Sequence, residues 1–281
     1  MGIRYAIVSL VVREKGKKMK VIWLTDIHLN FLGMHQIKKF VKKINEAAPD
    51  AIFITGDISE APSILDCLFI FSRFENVQTY FVLGNHDYYK GSIEHVNSYV
   101  TDYIKQFDNL HFMDNETFIE LNENTCLIGN TGWYDGRFGD FMNSRVLMQD
   151  YNIIHDFMGL TKSGMLGLNQ KLAEKSAQHI QDCLIEAFDR YQNVVLLTHI
   201  PPFWESCVHN GKMSDSHWAP HFSSKIMGEV IEEFMKDRSG HLTVLCGHTH
   251  GSGEIDILPN VRVITGSAEY YKPKISRVFE Y

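Results

Sequence analysis

The sequence predicts an α/β fold in which parallel strands alternate with amphipathic helices, and three observations carry that expectation. Short apolar runs recur at Val21 to Thr25, Ala51 to Thr55, Tyr80 to Leu83, Val194 to Thr198 and Leu242 to Cys246, and such runs read as strands buried on both faces. Helical patterns with short connections separate the first three, so the order β-α-β-α-β implies parallel strands joined by right-handed crossovers. Each of the five runs also stops at side chains bearing oxygen or nitrogen. That is where open α/β sheets build their sites, beyond the carboxyl ends of the strands.

Taken in order, residues 1–18 read as an extension ahead of a single domain at 19–281, because the basic stretch Arg13 to Lys18 separates Tyr5 to Val12 from the first strand. The rival reading pairs Ile3 to Val12 as an extra edge strand. The stretch is too short to span a bilayer and lacks a small-residue cleavage site, so neither anchoring nor export is expected. Ile37, Phe40, Val41 and Ile44 then share one helical face opposite Lys38, Lys39, Lys42 and Lys43, a solvated exterior, and Pro49 closes the helix. Strand 51–55, a helical stretch near 61–74 and strand 78–83 follow. Ile93, Val96, Val100, Ile104 and Phe107 mark another helix, with Ser92 as its cap.

Short strands are expected near 110–113, 117–121 and 125–130. Residues 131–168 show no long period and are rich in Gly, Asp and aromatics, which marks a functional or mobile loop. A helix near 169–190 leads to strand 194–198, and 203–223 forms a second irregular insertion. A helix near 224–237, strand 242–246 and short strands near 254–258, 261–265 and 275–279 complete the pattern.

The 281 residues, 44% of them hydrophobic, suit one large domain with a substantial core. A net charge of −7 opposes any chain that coats nucleic acid, and no basic region offers an extended nucleic-acid track. Cys67, Cys126, Cys183, Cys207 and Cys246 are odd in number and lack a Cys-x-x-Cys pair, so reduced thiols in a cytoplasmic protein are expected.

The residues after the five strands are Asp26 and His28, Gly56 and Asp57, Gly84 to Asp87, His199, and Gly247 to His250. In this order they resemble the motifs of the calcineurin-like metallophosphoesterase superfamily: Asp-x-His, Gly-Asp, Gly-Asn-His-Asp, a lone His and Gly-His-x-His. The resemblance implies a four-layer α/β/β/α sandwich of two mixed sheets flanked by helices. It also implies a binuclear centre of two divalent ions. Asp26, His28, Asp57 and His250 would hold one ion and Asp57, Asn85, His199 and His248 the other. A hydroxide between the ions would be the nucleophile, with His86 assisting the leaving group and Asp87 orienting His86. Manganese is preferred, and the mixed imidazole and carboxylate ligands also admit iron, zinc or cobalt.

Two divalent ions against two carboxylates and a hydroxide would leave about one net positive charge, giving an acidic protein a local anion site. The second motif lacks the Asp-Arg-Gly extension of the Ser/Thr protein phosphatases, which disfavours that class. The expected activity is hydrolysis of a small phosphate ester, chiefly a diester, with phosphomonoesterase and nuclease as alternatives on the same site. A noncatalytic scaffold of the same fold would be marked by a lost ligand or a missing His86, and neither is lost. Trp133, Phe203 and Trp204 are candidates to line the substrate cleft, while His209, His217 and His221 read as surface loop histidines.

Overall fold

The computed structural model describes residues 18–209 and 211–281, so the edge-strand reading of Ile3 to Val12 lies outside the described residues. The first sheet forms as β1 (Lys20–Leu24), β2 (Ala51–Thr55), β3 (Gln78–Val82) and β4 (Leu110–Phe112) run parallel, linked by α1 (Met34–Ala47), α2 (Ile64–Ser72) and α3 (Ile93–Ile104). The chain then enters a second sheet through the antiparallel pair β5 (Ile119–Asn122) and β6 (Thr125–Gly129). After the short helix α4 (Asp150–Ile153) and the long α5 (Lys162–Phe188), β7 (Asn193–Leu197) lies parallel to β6. The insertion that follows holds the hairpin β8 (Val208–His209) and β9 (Lys212–Met213) and the short helix α6 (Ala219–Phe222). Helix α7 (Lys225–Met235) then leads to β10 (His241–Cys246), parallel to β7. Next, β11 (Gly253–Leu258) pairs antiparallel with β12 (Val261–Thr265), and β13 (Arg277–Glu280) returns antiparallel to β1.

Both sheets are therefore mixed, in the orders β13-β1-β2-β3-β4 and β11-β12-β10-β7-β6-β5. Side chains alternate across a strand, and each central strand is apolar on both sides because both faces are covered. Val21, Trp23, Ala51, Phe53, Tyr80 and Val82 meet Leu127, Val195, Leu197 and Leu245 between the sheets. The intervening Ile22, Leu24, Ile52, Ile54 and Phe81 pack outward against α1, α2 and α3. Val194, Leu196, Leu242 and Val244 face α5 and α7 on the far side. Four layers result, as the motifs implied. Trp23 satisfies its indole N–H inside the central layer by donating to Thr55 Oγ1 at 3.0 Å.

Some element ends differ from the periodicity for local reasons. Helix α5 begins well before residue 169 because Thr161 caps it, its hydroxyl accepting from Gly164 N at 3.2 Å, while Gly164 and Gly167 mask the helical pattern. Ser92 precedes α3 without capping it. Asp156 Oδ2 accepts from Ile93 N at 2.8 Å instead. The four lysines of α1 are exposed, and Ala48 ends the helix at φ 45°, just before Pro49. Among the described residues no helix is long and apolar enough to cross a membrane.

Candidate metal centre

The parallel strands β1, β2, β3, β7 and β10 all deliver their next residues to one end of the sandwich. Asp26 and His28 follow β1, Asp57 follows β2, Asn85 and His86 follow β3, His199 follows β7, and His248 and His250 follow β10. Asp26, His28, Asp57, His248 and His250 all adopt left-handed backbone, with φ of 48°, 40°, 51°, 69° and 58°. Such geometry costs about 1–3 kcal/mol per residue and persists where the surroundings impose it, commonly at functional sites. Main-chain bonds impose it here: Asp26 N donates to Gly56 O at 3.1 Å, His28 N to Asp57 O at 3.0 Å, and Gly247 N to His199 O at 3.0 Å. The glycines of two motifs follow from crowding. A Cβ on Gly84 would lie 2.2 Å from Asp57 Oδ1, and one on Gly247 would lie 2.0 Å from Thr25 Oγ1.

One atom from each of Asp26, His28, Asp57 and His250 falls within 4.8 Å of the others, close enough to share an ion. His28 Nε2 stands 3.3 Å from His250 Nε2 and 3.6 Å from Asp57 Oδ2, and His250 Nε2 stands 3.4 Å from Asp26 Oδ1. A second group converges on the other oxygen of Asp57. His199 Nε2 lies 3.3 Å from Asp57 Oδ1 and 3.0 Å from Asn85 Oδ1. Its Nδ1 faces the carbonyl of Thr55 at 2.8 Å and so carries the proton, leaving a lone pair on Nε2. Two oxygens and an imidazole lone pair thus converge, a donor set that suits a cation once Asp57 is ionised. His248 is placed beside them, its Nε2 donating to the carbonyl of His221 at 3.0 Å, which leaves Nδ1 as the basic nitrogen.

The electrostatics point the same way. Burial pushes His28 and His199 below the ordinary imidazole value and His248 down to about 4, so these rings are neutral, as metal ligands must be. Burial, with the charges of Asp26 and Asp87, raises Asp57 well above the usual carboxylate range. A nearby cation would reverse that shift. Burial resists ionisation of Asp26 as well, yet the hydrogen bond and charge of His250 hold it low.

His86 sits at the rim, its Nε2 3.9 Å from Asp57 Oδ2 and its ring stacked on Tyr89 at 4.2 Å. Asp87 does not orient it. The Asp87 carboxylate accepts from Ser59 N at 2.7 Å and Gly84 N at 2.8 Å, tying together the loops after β2 and β3. Trp133 is also corrected: it is buried, donates its N–H to Asn169 Oδ1 at 2.9 Å and stacks on Phe157, so it belongs to the core. Phe203 is buried against the outer face of the second sheet. Trp204 packs on Phe138 and donates to Ser214 O at 2.6 Å. His221 is buried, not superficial, and bonds Tyr151 and Ser144.

The aromatic side of the site comes from residues that sequence reasoning passed over. Tyr270 lies 4.7 Å from the His28 ring, 4.9 Å from His250 and 6.4 Å from His86. Phe31 touches both Tyr270 and Tyr271. Asp150, from the aperiodic stretch 131–168, bonds Asn85 Nδ2 at 3.0 Å. For Tyr270 the sequence offers no more than its pairing with Tyr271 after the strand near 261–265, and for Asp150 nothing.

Comparison with known proteins decides the family. The model of the calcineurin-like phosphoesterases matches residues 19–252. The chain belongs to this family. This calcineurin-like phosphoesterase is 30% identical over 114 residues to an uncharacterized metallophosphoesterase of Campylobacter jejuni, a match covering 39% of the chain and 29% of that protein. It is 34% identical over 79 residues to a transmembrane protein with metallophosphoesterase domain from Bos taurus, covering 27% of the chain and 18% of that protein. The matched segments thus span less than a third of either relative. Among solved structures, the phosphopantetheinyl hydrolase of Mycobacterium tuberculosis superposes with a TM-score of 0.67 at 13% identity, over 95% of this chain and 96% of that one. A dimetal phosphatase from Danio rerio gives 0.55 at 12% identity, over 89% and 87%. Both likenesses are of fold. Family and residue cluster together support metal-dependent hydrolysis of phosphoesters.

Proposed function

We propose that this calcineurin-like phosphoesterase hydrolyses small phosphate diesters at two divalent ions, manganese being preferred. The observation that carries the reading is Asp57, whose Oδ2 faces the His28 cluster while its Oδ1 faces His199 and Asn85. Asp26, His28, Asp57 and His250 would hold one ion and Asp57, Asn85, His199 and His248 the second. When bound, such a pair supplies Lewis acidity and lowers the pKa of water toward neutrality. The substrate phosphate would meet these ligands from the side of His86 and Tyr270.

Charge favours a diester. The ligand carboxylates of Asp26 and Asp57 would offset half of the four positive charges of two divalent ions and a hydroxide one more, leaving about one, while the Asp150 carboxylate lies behind Asn85. Among the described residues, none of the hydrogen bonds or ion pairs made by these three carboxylates involves Lys or Arg. The surplus left matches one anionic charge on phosphate better than two. The test is a metal-supplemented panel of phosphomonoesters, diesters, cyclic nucleotides and pyrophosphates, with diesters expected to turn over fastest. Faster monoester turnover, or a strong preference for DNA with a steep salt slope, would replace this reading.

Burial pushes His86 down to about 3, so its imidazole enters the reaction neutral and acts on the departing oxygen as a hydrogen-bond donor. His86→Ala is expected to keep its metals and lose about 10²–10⁴ in kcat. The loss should be larger for alkyl than for nitrophenyl esters. Equal losses along a leaving-group series would assign His86 to substrate positioning alone.

Tyr270, with Phe31 and Tyr271, forms the wall for the organic part of the substrate, the role first sought in Trp133, Phe203 and Trp204. Tyr270 and Tyr271 are 40% and 60% exposed, and Tyr271 is held at φ 67°, a strained conformation for a bulky residue. Tyr270→Ala should raise KM for aryl or nucleoside diesters by a stacking term of about 1–3 kcal/mol, and for a methyl ester far less. Equal changes for both would remove the wall.

A further inference from the structure

Asp150 is fully buried, and its carboxylate accepts three hydrogen bonds from neutral donors: Asn85 Nδ2 at 3.0 Å, the Tyr89 hydroxyl at 2.6 Å and the Tyr134 hydroxyl at 2.7 Å. Every donor is part of the site or braces it. Tyr89 stacks against His86, with centroids 4.2 Å apart and planes at 27°. Tyr134 lies parallel to His248, with centroids 6.0 Å apart and planes at 15°. One carboxylate therefore reaches Asn85 directly, His86 through Tyr89 and His248 through Tyr134.

We infer that Asp150 is the positioning residue that fixes which atom Asn85 offers to the second ion and how the His86 and His248 rings stand, an inference that rests on the two-ion reading. The carboxamide of Asn85 has nearly the same shape after a half-turn, so sterics alone do not decide whether Oδ1 or Nδ2 faces His199. Only the oxygen can bind a cation. An ionised carboxylate accepts hydrogen bonds and donates none, so with Asp150 behind it Asn85 must turn Nδ2 inward and leave Oδ1 toward His199 Nε2, where it stands at 3.0 Å. The two tyrosine hydroxyls occupy two of the remaining lone pairs and hold the rings that stack on the histidines. A buried carboxylate satisfied by neutral donors is costly to a fold. Its retention is explained if its charge is balanced by the ions it helps to place.

The test is calorimetric titration of the chelator-stripped full chain with Mn²⁺ alone, alongside its thermal melt. Asp150→Asn keeps the shape but can turn a donor toward Asn85. It is expected to weaken the second Mn²⁺ step about 10–100-fold, leave the first step unchanged, and leave the metal-free Tm equal or higher. Two steps equal to wild type overturn the inference. So does a lowered metal-free Tm with both affinities kept, since that describes a purely structural residue. Tyr134→Phe and Tyr89→Phe carry the test should Asp150→Asn fail to fold. The first should weaken the second Mn²⁺ step, and the second should steepen the leaving-group dependence with Mn²⁺ affinity unchanged; neither effect appearing overturns it. Wild-type chain that takes up a single ion refutes the two-ion reading itself, a result separate from any behaviour of the variants.

Discussion

Asp57→Asn is expected to lower kcat/KM by at least about 10³-fold, a loss of about 4 kcal/mol or more, because an ion pair supplies several kcal/mol of transition-state stabilisation. Asp57 sends one oxygen to each ligand cluster. A carboxamide keeps one oxygen, turns a donor toward the other cluster and removes the shared negative charge. The substitution is also clean at the backbone, since Asn tolerates the left-handed conformation that Asp57 holds at φ 51°. Elemental analysis beside steady-state kinetics reads the outcome. A variant with full metal content and full activity would remove Asp57 from the bridging role.

The second large effect is on metal removal, where chelation should abolish hydrolysis and lower Tm together. Ligand present at 1,000 times its Kd stabilises by about 4 kcal/mol, which for a chain of this size is about 8–16 °C. The metal-induced shift should grow with pH. In the metal-free protein Asp57 holds its proton more tightly than usual because of burial and the nearby Asp26 and Asp87. Burial disfavours a proton on His250, but the hydrogen bond and charge of Asp26 outweigh it and raise that imidazole above its ordinary value of 6.5. Both protons must leave for an ion to bind, so uptake releases protons and affinity falls as pH drops through that value. Melts at pH 6 and pH 8 with and without Mn²⁺ check the sign. A larger shift at pH 6 would contradict it.

The fold and the candidate ligands were legible because the same residues carry both. A buried parallel strand must be apolar along its length and must stop where its end reaches solvent, so Asp26, Asp57, Asn85, His199 and His248 stand out against Val, Ile and Leu. Asp150 and Tyr270 were not legible. They come from segments with no period, and their meaning lies in three-dimensional partners: an asparagine and two tyrosines for Asp150, three histidine rings for Tyr270. Trp133 was misread for the converse reason. An indole next to a strand end resembles a cleft residue until Asn169 is seen to take its N–H inside the core. Asp87 fooled the reading by adjacency, since a neighbour of His86 in sequence turns out to serve backbone amides.

The division of the ligands between two sheets also sets a schedule for biosynthesis. A chain leaving the ribosome has placed Asp26, His28, Asp57 and Asn85 by the time β4 ends at Phe112, while His199, His248 and His250 belong to a sheet whose central strands are still to be made. Amino-terminal regions fold first during synthesis, at about 5–20 residues per second, so several seconds separate the two sets of donors. The early set lacks His250, the fourth member of the cluster that Asp26, His28 and Asp57 form. Closure waits for β10, so the full donor set exists only once both sheets are in place.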